Sequence, residues 1–70
     1  MRLEGEALSN RLRGYSSDTM YIISKVMMLS GEKFKIGRDI VTDSDLNEEE
    51  VRAKLMELLN SIDIDSETEN

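Results

Sequence analysis

Apolar side chains recur at helical spacing in two stretches of the chain, and these stretches predict its main elements. In residues 47–62 the apolar side chains cover an arc of about 100°, the width of a stripe that faces a protein core. They are Val51, Leu55, Leu58, Leu59 and Ile62. Asn47 and Glu50 are spaced as in a capping box, which places the start of this helix at Asn47. We expect Leu55 and Leu58 to lie at the centre of the core.

The second stretch, residues 18–31, is apolar on nearly every side. Lys25 is the only charged residue between Thr19 and Gly31. Residues 16–18 offer three good N-cap candidates, and Gly31 is expected to end the helix. A helix that is apolar most of the way round is contacted from more than one side. This segment therefore predicts the central helix of the fold, with a surface that a chain this small does not cover alone.

Residues 33–42 carry two competing patterns. Phe34 and Ile36 alternate with lysines, as in a half-buried strand, whereas Ile36 and Ile40 would form a short helical stripe. Gly37 disfavours both. We interpret the segment as a short helix or an extended turn, and a strand stays open as the alternative.

The two ends of the chain have weaker patterns. Residues 3–13 predict a short helix that ends at Gly14, and the polar, acidic residues 63–70 predict a disordered tail. The fold class is therefore all-α: a small bundle of three or four short helices in one domain, residues 1–62. The order of a long helix, a short one and a final amphipathic one is also compatible with a helix-turn-helix.

The short length and the composition of the chain limit the ways in which so small a bundle can be held together. A chain of 70 residues buries little surface, and it has neither cysteine nor histidine. Disulfides and the commonest zinc ligands are thus excluded, which leaves self-association or docking on a partner, and we expect a homo-oligomer. The same inventory lacks the usual catalytic base and the strongest nucleophile, so we expect no enzyme and no cofactor.

Charge divides the chain in two. Residues 1–38 hold seven Lys and Arg against four Asp and Glu, and residues 39–70 hold two against eleven. Such a chain can meet an acidic partner with one half and a basic partner with the other. Asp43, Asp45 and Asn47 also copy the first half of a calcium loop, but Glu48 and Lys54 stand where that loop needs glycine and glutamate. We interpret the segment as a turn that leads into a helix.

The expected function is that of a non-enzymatic protein-interaction module: a small regulatory adaptor or inhibitor that docks on a larger protein with a basic or apolar groove. The candidate partner-binding residues are two methionines at the edges of apolar stripes and three acidic residues: Met28, Met56, Asp45, Glu48 and Glu49.

The alternative function is a small helix-turn-helix-like transcriptional regulator that binds DNA with its basic half. Its candidate residues are Arg11, Arg13, Lys33, Lys35 and Arg38. The glutamates at residues 48–50 oppose it, because they would face phosphates at the start of the last helix.

Location follows from what the sequence lacks. No stretch approaches the roughly 20 apolar residues of a membrane span, and Glu4 and Glu6 stand where a signal peptide needs an apolar core. We expect a cytoplasmic protein without membrane contact. Chains of this character are common among regulatory proteins, including those of phages and mobile elements.

Overall fold

The computed structural model describes the backbone of residues 1–69 and the side chains of residues 1–62. This part of the chain contains four helices, α1 (Gly5–Arg13), α2 (Ser17–Met27), α3 (Gly31–Thr42) and α4 (Glu48–Glu69). It contains no strand, and one isolated bridge pairs Arg2 with Asp43. The prediction of a small all-α bundle is confirmed.

The core lies between α2, α3 and α4, each of which packs against the other two. The buried apolar side chains of the described part are Ile23, Val26, Val41, Val51, Leu55 and Leu58. Leu55 is fully removed from solvent and Leu58 nearly so, which confirms their expected place in the core. Helix α2 contacts both α3 and α4, but each of these also contacts the other two, so the central position predicted for the second apolar stretch stays a prediction.

The start of α4 is set by the predicted capping box. The Asn47 Oδ1 accepts a hydrogen bond from the Glu50 amide at 2.9 Å, and the Asn47 amide donates to Glu50 Oε1 at 3.0 Å. Two amides at the end of the helix are satisfied in this way, so the boundary is encoded within four residues of sequence.

Helix α4 continues to Glu69, beyond Ile62, where its apolar pattern ends. The side chains of residues 63–69, and Asn70 altogether, lie outside the described part, so the acidic tail of residues 63–70 stays a prediction. No helix in the described ranges unites the length and the apolar character that a membrane crossing requires.

The boundary between α2 and α3 differs from the prediction. Ser16 caps α2 as expected, since its hydroxyl accepts from the Thr19 amide at 3.3 Å. The helix ends at Met27, however, and Gly31 does not end it but begins α3 with a φ of 62°. That left-handed conformation turns the chain into the next helix, and glycine adopts it without the steric cost of a side chain. The prediction that Gly31 ends α2 is therefore wrong.

Residues 33–42 form a helix, so the strand alternative is wrong. By propensity Gly37 disfavours a helix, but in the fold it is buried where α3 packs on α2. A methyl group at Gly37 would overlap Val26 Cγ1 on α2. The two helices approach closely because this position has no side chain.

The N-terminal region adds to this core from outside. Residues 1–3 are extended and run antiparallel to residues 42–44, with the Leu3 amide 2.7 Å from the Thr42 carbonyl oxygen and the Ser44 amide 3.0 Å from the Met1 carbonyl oxygen. Helix α1 then covers the core with half-buried side chains, Leu8 and Leu12, and has no fully buried residue. It ends at Gly14, as predicted.

Candidate functional site

The outer face of α2 carries large side chains that the bundle leaves uncovered. Thr19, Ile23 and Val26 are buried on the inner face of this helix. On the outer face Tyr21 is 62% exposed, and Met28, the C-cap residue directly after the helix, is 86% exposed. They lie seven residues apart, which places them on the same side of a helix. Of the nearly all-round apolar surface that the sequence predicts, this side is the one that remains in solvent.

Lys25 lies between these two side chains on the outer face. Its ammonium nitrogen is 5.1 Å from the centroid of the Tyr21 ring, a cation–π distance. The Ser24 hydroxyl donates to the Tyr21 carbonyl oxygen at 2.7 Å. We call the side chains of Tyr21, Ser24, Lys25 and Met28 the α2 face.

Three other methionines differ in their exposure. Met20 packs against the core, whereas Met27 is 38% exposed. Met56, the second predicted partner-binding methionine, is 49% exposed on α4. Glu49 precedes it by seven residues, is exposed and shares its side of the helix.

Glu48 was predicted to face a partner, but the structure turns its carboxylate towards α2. Its Oε2 accepts from the Thr19 hydroxyl at 2.6 Å and from the Ser16 amide at 3.0 Å. The Arg52 guanidinium adds a bond to the same Thr19 hydroxyl at 3.4 Å. Glu48 is therefore occupied within the chain and links the starts of α2 and α4.

These bonds lower the pKa of the Glu48 carboxyl below its ordinary value, because they stabilise the charged form. The largest cause is the Thr19 hydroxyl, followed by the backbone and then the side chain of Ser16, and the charge of Arg52 contributes least. No local pattern predicts this cluster, because Glu48 lies 29 residues from Thr19 and 32 residues from Ser16.

The remaining acidic candidate, Asp45, lies in the turn before α4. Its amide donates to Asp43 Oδ1 at 2.9 Å, so the expected Asp-rich turn is formed. Asp45, Asp43 and Asp39 line a cleft together with Arg2, and Arg2 Nη1 is 2.7 Å from Asp39 Oδ1. Over the residues whose side chains are described, no group of three acidic side chains is arranged to hold a metal ion.

The basic candidates for nucleic-acid binding are divided by the fold. Lys33 and Lys35 lie on nearly opposite sides of α3, since two residues turn a helix by about 200°. Arg11 is half-buried, and its guanidinium donates to the Val41 carbonyl oxygen at 3.4 Å. Arg38 lines a cleft between α1 and α3, and Arg13 is exposed on α1. The five residues thus do not share one face.

A groove between α3 and α4 was not anticipated. Ile36, Ile40 and Leu46 provide its apolar surface, and its charged border is formed by Asp39, Asp43 and Lys54. Ile36 is 41% exposed, while Ile40 and Leu46 are half-buried. The sequence did contain a signal, because Ile36 and Ile40 have helical spacing once residues 33–42 are taken as a helix.

Comparison of the chain with protein-family models, with curated proteins and with solved structures finds no match.

Proposed function

We propose that this chain is a non-enzymatic protein-interaction module, a small adaptor or inhibitor that docks on a larger protein and regulates it. The observation that carries the proposal is the α2 face. Two large side chains, Tyr21 on α2 and Met28 at its C-cap, stand in solvent although the opposite face of this helix is buried in the core. Tyr and Met are enriched at the centres of protein interfaces, where charged residues are depleted.

The energetic argument concerns what a partner gains by covering these side chains. Full burial of a methionine side chain contributes roughly 1.5–3 kcal/mol relative to its exposed state. Tyrosine adds a large, rigid ring at the cost of only two side-chain torsions. Lys25 contributes its aliphatic stem to the same surface and can keep its ammonium group at the rim. An apolar groove on a larger protein fits this surface.

A second contact in the same proposal is formed by Glu49 and Met56 on α4, both exposed. A methionine next to a carboxylate suits an apolar pocket with a basic side chain at its rim. Asp45 belongs to the proposal as an exposed acidic residue of the turn before α4. Glu48 is left out of it, since its carboxylate is bonded to Ser16 and Thr19.

The test begins with a photo-crosslinking amino acid that replaces Met28. The control carries the same amino acid in place of Ser9 on α1. The protein captured only from position 28 is then purified, and its affinity for the chain is measured by calorimetry. Met28→Gln and Tyr21→Ser should each weaken binding about tenfold, which is about 1.4 kcal/mol. The exposed control Asn60→Ser should leave it unchanged.

Three results would count against the proposal. Equal affinity of wild type and both α2 variants would exclude the α2 face. Loss of binding with Lys35→Gln and Arg38→Gln, together with a steep salt dependence on duplex DNA, would favour the DNA-binding regulator. A homodimer that Met28→Gln dissociates would show that the α2 face serves self-association.

A further inference from the structure

The groove between α3 and α4 differs from the α2 face in having a shape and a defined charge pattern. Its volume of about 350 Å³ is at the lower end of the roughly 300–1,000 Å³ of ligand sites, so it suits one or two side chains. Ile36, Ile40 and Leu46 make it apolar, and they come from two elements that the core holds in place. An apolar side chain from outside would find three apolar neighbours there.

The charges at the border are not symmetric. Asp39 comes from α3 and Asp43 from its C-cap, while Lys54 comes from α4. A cation entering beside an apolar side chain is attracted to the two carboxylates and repelled by the ammonium group. The groove therefore distinguishes two orientations of any segment that offers one apolar and one basic side chain.

The chain itself contains a basic side chain that is paired with one of these carboxylates. Asp39 and Asp43 also line the neighbouring cleft, where Arg2 Nη1 lies 2.7 Å from Asp39 Oδ1. The residue before this arginine is Met1, and residues 1–3 are extended against residues 42–44. Met1 itself is 96% exposed, so the example is the arginine alone: Arg2 pairs with Asp39 from the side of the neighbouring cleft.

We propose that the groove between α3 and α4 binds a segment of a partner protein that inserts an apolar side chain between Ile36, Ile40 and Leu46 and places an adjacent Arg or Lys against Asp39 and Asp43. The proposal goes beyond the α2 face and uses none of its residues. It shares with the proposed function only the premise that the chain binds proteins, so either can fail while the other stands.

The experiment uses the full chain and a defined probe, the capped dipeptide acetyl-leucyl-arginine amide, with acetyl-seryl-arginine amide as its matched control. Amide shifts in a ¹⁵N spectrum are followed during titration. The leucyl probe should bind with a dissociation constant on the order of 1 mM, as expected for so small a ligand. Its shifts should concentrate in residues 36–46, and the seryl probe should bind at least fivefold more weakly.

Variants of single residues test what each part of the groove contributes to binding of the probes. Ile36→Ser should remove the difference between the two probes, and it should fold, because Ile36 is 41% exposed. Asp43→Asn keeps an oxygen for the Asp45 amide but removes the charge, so it should weaken both probes about threefold or more, the size of an exposed ion pair. Lys54→Gln should strengthen both. Met28→Gln should change neither, which separates this test from that of the α2 face.

A matched acidic control separates binding in the groove from general electrostatic attraction between the acidic chain and the basic probes. Glu6 is exposed on α1 and does not line the groove, so Glu6→Gln should leave binding of both probes unchanged. Equal affinity of the two probes, equal weakening by Glu6→Gln and Asp43→Asn, or shifts concentrated in residues 21–28 would each overturn the proposal. Absence of any shift with the leucyl probe at concentrations well above its expected dissociation constant would overturn it as well.

Discussion

The three-helix core and the N-terminal region of this chain are held by different forces. Helices α2, α3 and α4 each contribute buried apolar side chains, among them Val26, Val41 and Leu55. Helix α1 contributes none, and residues 1–14 are attached by half-buried leucines, backbone pairing at residues 1–3 and an exposed ion pair.

This difference indicates that the stability of so small a domain comes mainly from its buried core. Burial of apolar surface is worth roughly 25 cal/mol per Å², whereas an exposed ion pair contributes about 0–1 kcal/mol. We therefore expect the core to open only with global unfolding, and the N-terminal region to open first. Four variants of the chain test this contrast.

The largest effect is expected for truncation of a core leucine. Leu55→Ala should destabilise the fold by about 2–5 kcal/mol, because Leu55 is fully buried and its loss leaves a cavity. That is a large share of the roughly 4–10 kcal/mol expected for a domain of this size. The counterpart Leu12→Ala on α1 should cost only about 1 kcal/mol. Urea denaturation measures both, and equal losses would abolish the contrast.

The second prediction concerns the close approach of α2 and α3. Gly37→Ala should destabilise by roughly 1–3 kcal/mol, although alanine favours helices, because its methyl group overlaps Val26 Cγ1. Gly14→Ala is the control, since a methyl group there meets only ordinary contacts, and it should be close to neutral.

A double-mutant cycle sharpens this second prediction. In a Val26→Ala background the overlapping methyl is gone, so Gly37→Ala should cost much less than in the wild-type chain. If the cost is the same in both backgrounds, the contact does not explain the glycine.

The third prediction uses acid as the probe of the link between α2 and α4. The folded pKa of Glu48 is lowered, so its contribution to stability is fully present above its ordinary pKa of 4.5 and is lost as the pH falls through the folded value. Glu48→Gln should therefore be less stable than wild type at pH 7, and the difference should shrink on acidification below 4.5. Glu49→Gln, which removes an exposed carboxylate from the same turn of α4, is the matched control.

The smallest effect is expected at the N-terminal segment. Arg2→Gln removes the ion pair with Asp39, whose two side chains are 53% and 50% exposed. Its cost should not exceed about 0.5–1 kcal/mol and should disappear in high salt, because solvent screens exposed charges. Hydrogen exchange should be faster in α1 than in α2, in the variant and in the wild type. A cost comparable to that of Leu55→Ala would contradict the contrast between the two regions.

What the sequence could predict depended on how far apart the interacting residues lie. The capping box of Asn47 and Glu50 spans four residues, and the Leu55 stripe repeats within one helix, so both are visible in the sequence. The hydroxyl cap of Ser16 on Thr19 is equally local.

The interactions that the sequence could not predict depend on which helices and segments contact one another in the fold. Gly37 disfavours a helix by propensity alone, and only the position of Val26 on the neighbouring helix explains it. Glu48 has an ordinary place in the first turn of α4, while its partners are 29 and 32 residues away. The pairing of residues 1–3 with residues 42–44 left no periodic signal, because it is too short to produce one.

The position of Glu48 has a consequence for the directions of the helices. The start of a helix carries a partial positive charge, because its peptide dipoles are aligned, and two such ends repel when they meet. Glu48 stands in the first turn of α4 and accepts a bond from the Ser16 amide at the start of α2, so one carboxylate lies at both positive ends. A single anion thereby counteracts two macrodipoles and permits two helices to begin side by side, an arrangement that their fields alone would oppose.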